Sequence, residues 1–147
     1  MERIVVTGVG VISALGAGRE AFWHSLATGT SGLRPPSLVA ARTRGDGLAG
    51  EIAEFSPGPF IGTKGIRHFD RTALLLACAA KLALEDAGLR CDPANPTRDD
   101  RIGIVVGSTY GSIGSIAAFD TEALREGPSS ATRWLIVGGT TLSLIHI

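Results

Sequence analysis

Arg3-Ile4-Val5-Val6-Thr7-Gly8-Val9-Gly10-Val11-Ile12-Ser13-Ala14-Leu15-Gly16 joins a short β-branched run to glycines on a tight pitch. A run of that length stopped by a glycine is what a strand covered on both faces requires, so residues 3–7 are expected as a buried strand. The segment from Gly8 to Gly16 is too glycine-punctuated to be helical throughout and reads as a loop. From Arg19 to about Thr28, Phe22, Trp23, Leu26 and Ala27 recur at helical spacing, and Gly29 stands where a left-handed C-terminal cap belongs. The order strand, loop, helix returns further on. Ile102 to Val106 reads as a second strand closed by Gly107, the loop Gly107-Ser108-Thr109-Tyr110-Gly111-Ser112 follows, and a helix is expected from about Ile113 to Arg125 with Gly127-Pro128 as its stop. Two such units with a helix between them imply an α/β layer fold.

The segment between them is uneven. Pro35, Pro36, Pro57 and Pro59, with glycines at 29, 32, 45, 47, 50, 58 and 62, imply a long surface excursion with one short strand near Leu48 to Ile52. Asp70 then looks like an N-cap for a helix from Arg71 to Ala87 that Gly88 ends. Leu74, Leu75, Leu76, Cys78, Leu82 and Leu84 do not fit one stripe of that helix, so it needs neighbours on several sides. A Pro- and Asp-rich loop spans Arg90 to Asp100. The tail from Ser129 to Ile147 has one charged side chain, Arg133, and ends on the β-prone Leu142-Ser143-Leu144-Ile145-His146-Ile147. Either it is a strand whose partners lie elsewhere or it is not native sequence. No repeat of solenoid period is visible.

Composition narrows the function classes. The 147 residues carry 14 Lys and Arg against 14 Asp and Glu, so no long-range field draws the whole chain to nucleic acid or to an acidic membrane. Hydrophobic residues make up 44%, which argues against disorder. The longest apolar run, Ala73 to Ala80, is bounded by Arg71 and Lys81 and is too short to span a bilayer. Cys78 and Cys91 form no CxxC and have no nearby histidine pair, so neither a disulfide framework nor a zinc site is expected. A cytoplasmic protein with reduced thiols, no metal and no cofactor is the default reading.

Several motifs carry chemistry only in part. Gly8 and Gly10 suggest a dinucleotide-binding turn, but Ser13 stands where the third glycine belongs and no acidic residue closes a second strand. Ser112 lies in Tyr110-Gly111-Ser112-Ile113-Gly114, which misses the GxSxG nucleophile elbow at its first glycine. His24, His68 and His146 are too scattered for a metal site. Mid-helix Cys78 sits among leucines, where burial raises a thiol pKa, and Cys91 has no visible base. Lys64, Arg67, His68 and Arg71 cluster around the start of the long helix with only Asp70 opposing them. That cluster reads as a solvated loop or as a docking patch for an acidic partner.

Taken in order, Val5 to Gly16, Phe22-Trp23, Gly29-Thr30-Ser31-Gly32-Leu33 and Ala49-Gly50-Glu51-Ile52 resemble the opening of β-ketoacyl-acyl carrier protein synthases. Asp70-Arg71, Ala83-Leu84-Glu85-Asp86-Ala87-Gly88-Leu89, Arg101 to Ser108 and Glu126-Gly127-Pro128 continue the similarity at the family's order and spacing. It covers residues 1–128, the first third or so of a typical family chain.

The resemblance implies a partial thiolase-like layered fold, the N-terminal portion of the first of two related α/β halves, in a protein that is usually a homodimer. It also implies acyl transfer to a cysteine nucleophile and decarboxylative condensation with malonyl carrier protein, assisted by two histidines. The partners would be acyl carrier protein and acyl and malonyl thioesters. That cysteine and those histidines follow the Gly-Pro stop in relatives, so none of the catalytic positions is matched here and the chain alone is expected to be inactive. Two non-catalytic positions carry over. Lys64, Arg67 and His68 fall where relatives dock the acidic carrier, and Tyr110 falls where relatives line the acyl pocket.

The division expected is 1–128 as the N-terminal part of a ketosynthase domain and 129–147 as a doubtful tail. The tail lacks the Pro- and Phe-containing loop and the Asn-bearing helix start that relatives show. A catalytically silent partner subunit, a Rossmann-type NAD(P)-binding domain and a non-enzymatic interaction domain are the alternatives. The isolated chain is expected to fold poorly, because its apolar helix and strand edges lack covering surface.

Overall fold

The computed structural model describes residues 3–38, 47–89 and 102–127. Chain contacts divide it into two compact units, Met1–Gly62 with Cys78–Pro93 and Thr63–Ala77 with Ala94–Ile147.

In the first unit the glycine-rich opening folds into a small hairpin, β1 (Ile12–Ser13) against β2 (Gly16–Ala17), antiparallel with Ile12 opposite Ala17 and Ser13 opposite Gly16. Ser13 closes the turn. Its hydroxyl accepts from the Leu15 amide at 3.1 Å and donates to the Gly16 carbonyl at 3.3 Å. Gly16, at φ 132°, supplies a backbone conformation that side chains rarely adopt. Helix α1 (Arg19–Ala27) follows, and the Ser25 hydroxyl ties it back by donating to the Leu15 carbonyl at 3.0 Å. The helix ends as the sequence predicts. Gly29 is left-handed at φ 66°, its amide donates to the Leu26 carbonyl and the Thr30 amide to the Ser25 carbonyl, the paired bonds of a glycine-closed helix end.

The second unit holds the start of α3 (Arg71–Asp86) and α4 (Ile113–Glu126). A short turn of helix, α2 (Gly58–Ile61), lies in the first unit ahead of them. Asp70 caps α3 as expected, its Oδ1 accepting from the Ala73 amide at 2.8 Å. At the far end, in the first unit, Gly88 is left-handed at φ 73° and Leu89 donates to the Leu84 carbonyl. Among the described residues only Ala73, Ala77 and Cys78, all on α3, are buried.

The strand expectations need correction. Residues 3–7 and 102–106 form no ladder among the described residues, and of the Leu48 to Ile52 run only Ala49 pairs, in an isolated antiparallel bridge with Arg34. The composition of a run fixes that it can be a strand, but a ladder needs a neighbour to supply the opposite hydrogen bonds. Ile4 is 98% exposed and Val105 100% exposed, so these runs have nothing covering them. The loop at Arg90 to Asp100, Cys91, and the tail from Ser129 to Ile147 with His146 lie outside the described residues.

Candidate functional site

In the first unit, the glycines of the opening stretch serve packing. A Cβ on Gly10 would lie 1.9 Å from the Ala79 carbonyl oxygen, and one on Gly8 would lie 2.3 Å from that of Ala83. The backbone at 8–10 therefore rests directly on Ala79 and Ala83 of α3 and on Ala87 just past its end, which only hydrogen side chains permit. Asp86 fastens the contact. One carboxylate oxygen accepts from the Val9 amide at 2.9 Å, and the other pairs with Arg19 Nη1 at 2.6 Å.

This geometry does not support the dinucleotide-binding alternative. The turn faces a helix side rather than a helix N-terminus, and among the described residues no helix begins before Arg19. A shallow cleft of about 380 Å³ beside this clasp is walled by Val9, Gly18, Arg19, Leu82, Glu85 and Asp86, and its Arg19–Asp86 charges neutralise each other.

The sequence-derived site residues fall in the second unit. Lys64, Arg67 and His68 lie exposed on the loop ahead of α3, where Gly65 is left-handed at φ 77° and the Phe69 amide donates to the Ile66 carbonyl. Lys64 and Arg67 form no ion pair among the described residues, whereas His68 and Arg71 each have an interaction partner. Asp70, the one nearby acid, spends a carboxylate oxygen on the helix cap. The loop thus keeps two open cations at the positive end of a helix.

Tyr110, 74% exposed, sits on the turn before α4. There the Gly111 amide donates to Ser108 Oγ at 2.8 Å, and the Gly111 carbonyl accepts from Thr72 Oγ1 at 3.0 Å. Thr72 therefore anchors the Tyr110 turn to the same end of α3 that carries the basic loop. Sequence reasoning missed both Thr72 and Asp86. The one available signal was a polar side chain near each end of an otherwise apolar helix.

No nucleophile is assembled among the described residues. Cys78 is 0% exposed, and burial pushes its thiol above the ordinary value, so the reactive thiolate is disfavoured. Ser112 starts α4 without a side-chain cap bond and without a histidine hydrogen-bonded to it. His24 is exposed on α1, and no group of three metal-ligating side chains occurs among the described residues. Nor is any described helix long and apolar enough to cross a membrane.

The architecture is thiolase-like α/β: the chain superposes with a TM-score of 0.77 and 30% identity on a solved structure described as the ishigamide ketosynthase/chain length factor, over 95% of this chain and 34% of the other. The chain belongs to the β-ketoacyl synthase family, whose N-terminal domain model matches residues 1–144. Among curated relatives it is 35% identical over 136 residues to the Streptomyces glaucescens tetracenomycin polyketide synthase ketoacyl synthase alpha subunit, covering 92% of this chain and 30% of that one. It is 32% identical to the 3-oxoacyl-(acyl-carrier-protein) synthase 2 of Coxiella burnetii and 29% identical to that of Synechocystis sp., covering 93% and 92% of this chain and 32% of each relative. The chain thus spans about a third of the length of the relatives it matches.

Proposed function

We propose that these residues are the N-terminal part of a β-ketoacyl-acyl carrier protein synthase of fatty acid or polyketide assembly, and that the 147-residue chain does not catalyse by itself. The observation that carries this reading is Cys78: it is the sole cysteine among the described residues, and it is buried in mid-helix with a raised pKa. In the complete enzyme a cysteine thiolate would attack the acyl thioester carbon and release the carrier thiol. Loss of carbon dioxide from the malonyl carrier would then give an enolate that attacks the acyl-enzyme and expels the cysteine. Two histidines and an oxyanion hole would stabilise the developing charge.

This chain's share of that reaction is recognition. Lys64, Arg67 and His68 dock the acidic acyl carrier protein, and Tyr110 lines the acyl pocket, restricting it by its bulk. The complete protein is read as a homodimer. Residues 1–128 are read as the first part of the family domain. The test is to incubate the purified chain with acyl and malonyl carrier proteins. No condensation product is expected, and its appearance overturns the reading.

A second reading, a catalytically silent partner subunit, starts from the likeness, at 30% identity, to the structure described as the ishigamide ketosynthase/chain length factor. The two readings diverge at the nucleophile position of the intact protein.

A further inference from the structure

Both backbone groups of Gly111 are held by side chains, from two different places. Its amide donates to Ser108 Oγ at 2.8 Å, a bond within the turn that sets the turn's own shape. Its carbonyl accepts at 3.0 Å from Thr72 Oγ1, a residue 39 positions away on the first turn of α3. Other threonines of this chain spend their hydroxyls differently. Thr28 and Thr121 each donate to the carbonyl four residues back along the chain, to His24 and Ala117. Thr72 reaches outward instead. Its footing is firm, because the neighbouring Ala73 is 2% exposed and Asp70 holds the Ala73 amide at 2.8 Å.

Tyr110 stands between Ser108 and Gly111, and its side chain makes no hydrogen bond among the described residues. The position of the ring is therefore inherited from the turn, and Thr72 fixes where the turn sits on α3. We propose that Thr72 is a positioning residue that holds Tyr110 in place and thereby sets the length of acyl chain the complete enzyme accepts, an inference that rests on Tyr110 lining the acyl pocket. With the bond made, the ring stays put and long chains are disfavoured. Without it the turn shifts and the restriction relaxes.

The test is the ratio of kcat/KM for dodecanoyl to that for butyryl carrier protein, measured on the complete enzyme. Thr72→Val removes the donor and keeps the shape, and is expected to raise the ratio about fivefold, the equilibrium effect of one neutral hydrogen bond. Thr72→Ser keeps the hydroxyl and should restore the parent ratio. Tyr110→Ala should raise the ratio further, and adding Thr72→Val to it should change nothing more, since the two act through one ring. In the 147-residue chain, hydrogen exchange over residues 108–112 reads the tether without activity: faster in Thr72→Val, parental in Thr72→Ser.

A general packing defect would lower both kcat/KM values together and leave their ratio unchanged, which overturns the proposal. So does a Thr72→Val effect that persists undiminished in the Tyr110→Ala background, or exchange over 108–112 that Thr72→Val leaves unaltered. If Tyr110→Ala shifts the ratio and Thr72→Val does not, the positioning role alone falls. If Tyr110→Ala itself leaves the ratio unchanged, the pocket reading falls and takes the positioning role with it.

Discussion

Gly10 and Asp86 do at residue scale what the apolar side chains around them do not. Gly10 lets the opening backbone touch the α3 backbone, so Gly10→Ala forces a Cβ to 1.9 Å from a carbonyl oxygen that cannot move without unwinding the helix. A loss of about 3 kcal/mol is expected in urea unfolding, against little change for Gly47→Ala, where nothing lies within 4 Å. Asp86→Ala strands the Val9 amide and releases Arg19. The amide bond to a charged acceptor should account for most of the cost, about 1–3 kcal/mol, because Arg19 is largely exposed and its pairing is screened. Faster exchange of the Val9 amide is the accompanying sign. Cys78 gives a pH dependence of known direction. Burial raises its folded pKa, so its contribution to stability is complete below the unfolded thiol value of about 8.5 and is lost as pH rises through the folded one. Unfolding midpoints that decline across that alkaline window in the native chain, and decline less in Cys78→Ala, check it.

At the scale of elements, helices were legible and strands were not, for one physical reason. A helix closes its hydrogen bonds within a few residues, so Asp70, Gly29 and Gly88 mark ends that the structure reproduces to within a residue or two. A strand closes its bonds with a neighbour. The runs at 3–7 and 102–106 show strand composition and no ladder among the described residues, while a real hairpin formed from Ile12 to Ala17, in a stretch read as loop because each of its strands is two residues long. The Asp86 clasp was illegible for the same reason, since its acceptor and donor stand 77 positions apart. Tyr110 was singled out only by resemblance, and what holds its turn is Thr72. Thr72→Val keeps the shape of the side chain but leaves the Gly111 carbonyl without its donor. A cost of about 1 kcal/mol is expected, with faster hydrogen exchange confined to residues 108–112 and none added at the hairpin of the first unit.

For the whole molecule the question is what a chain of zero net charge can recognise. With no global field, attraction to an acidic carrier has to come from a patch whose cations are not already neutralised. Lys64 and Arg67 meet that condition among the described residues, and the cap bond made by Asp70 draws the nearest negative charge into the helix end. Reversing both charges, Lys64→Glu with Arg67→Glu, in the complete enzyme should therefore weaken carrier binding by about tenfold or more and slow association most. The rate at saturating carrier should hold, since neither residue reaches the reacting atoms in the proposed mechanism. Salt separates docking from a structural effect. Added salt weakens a charge-steered encounter and leaves a packing defect untouched, so KM for the carrier should rise with ionic strength in the parent and stay nearly flat in the double variant. A KM that responds to salt equally in both, or a fall in the saturated rate with KM unchanged, removes these two residues from the carrier's docking surface.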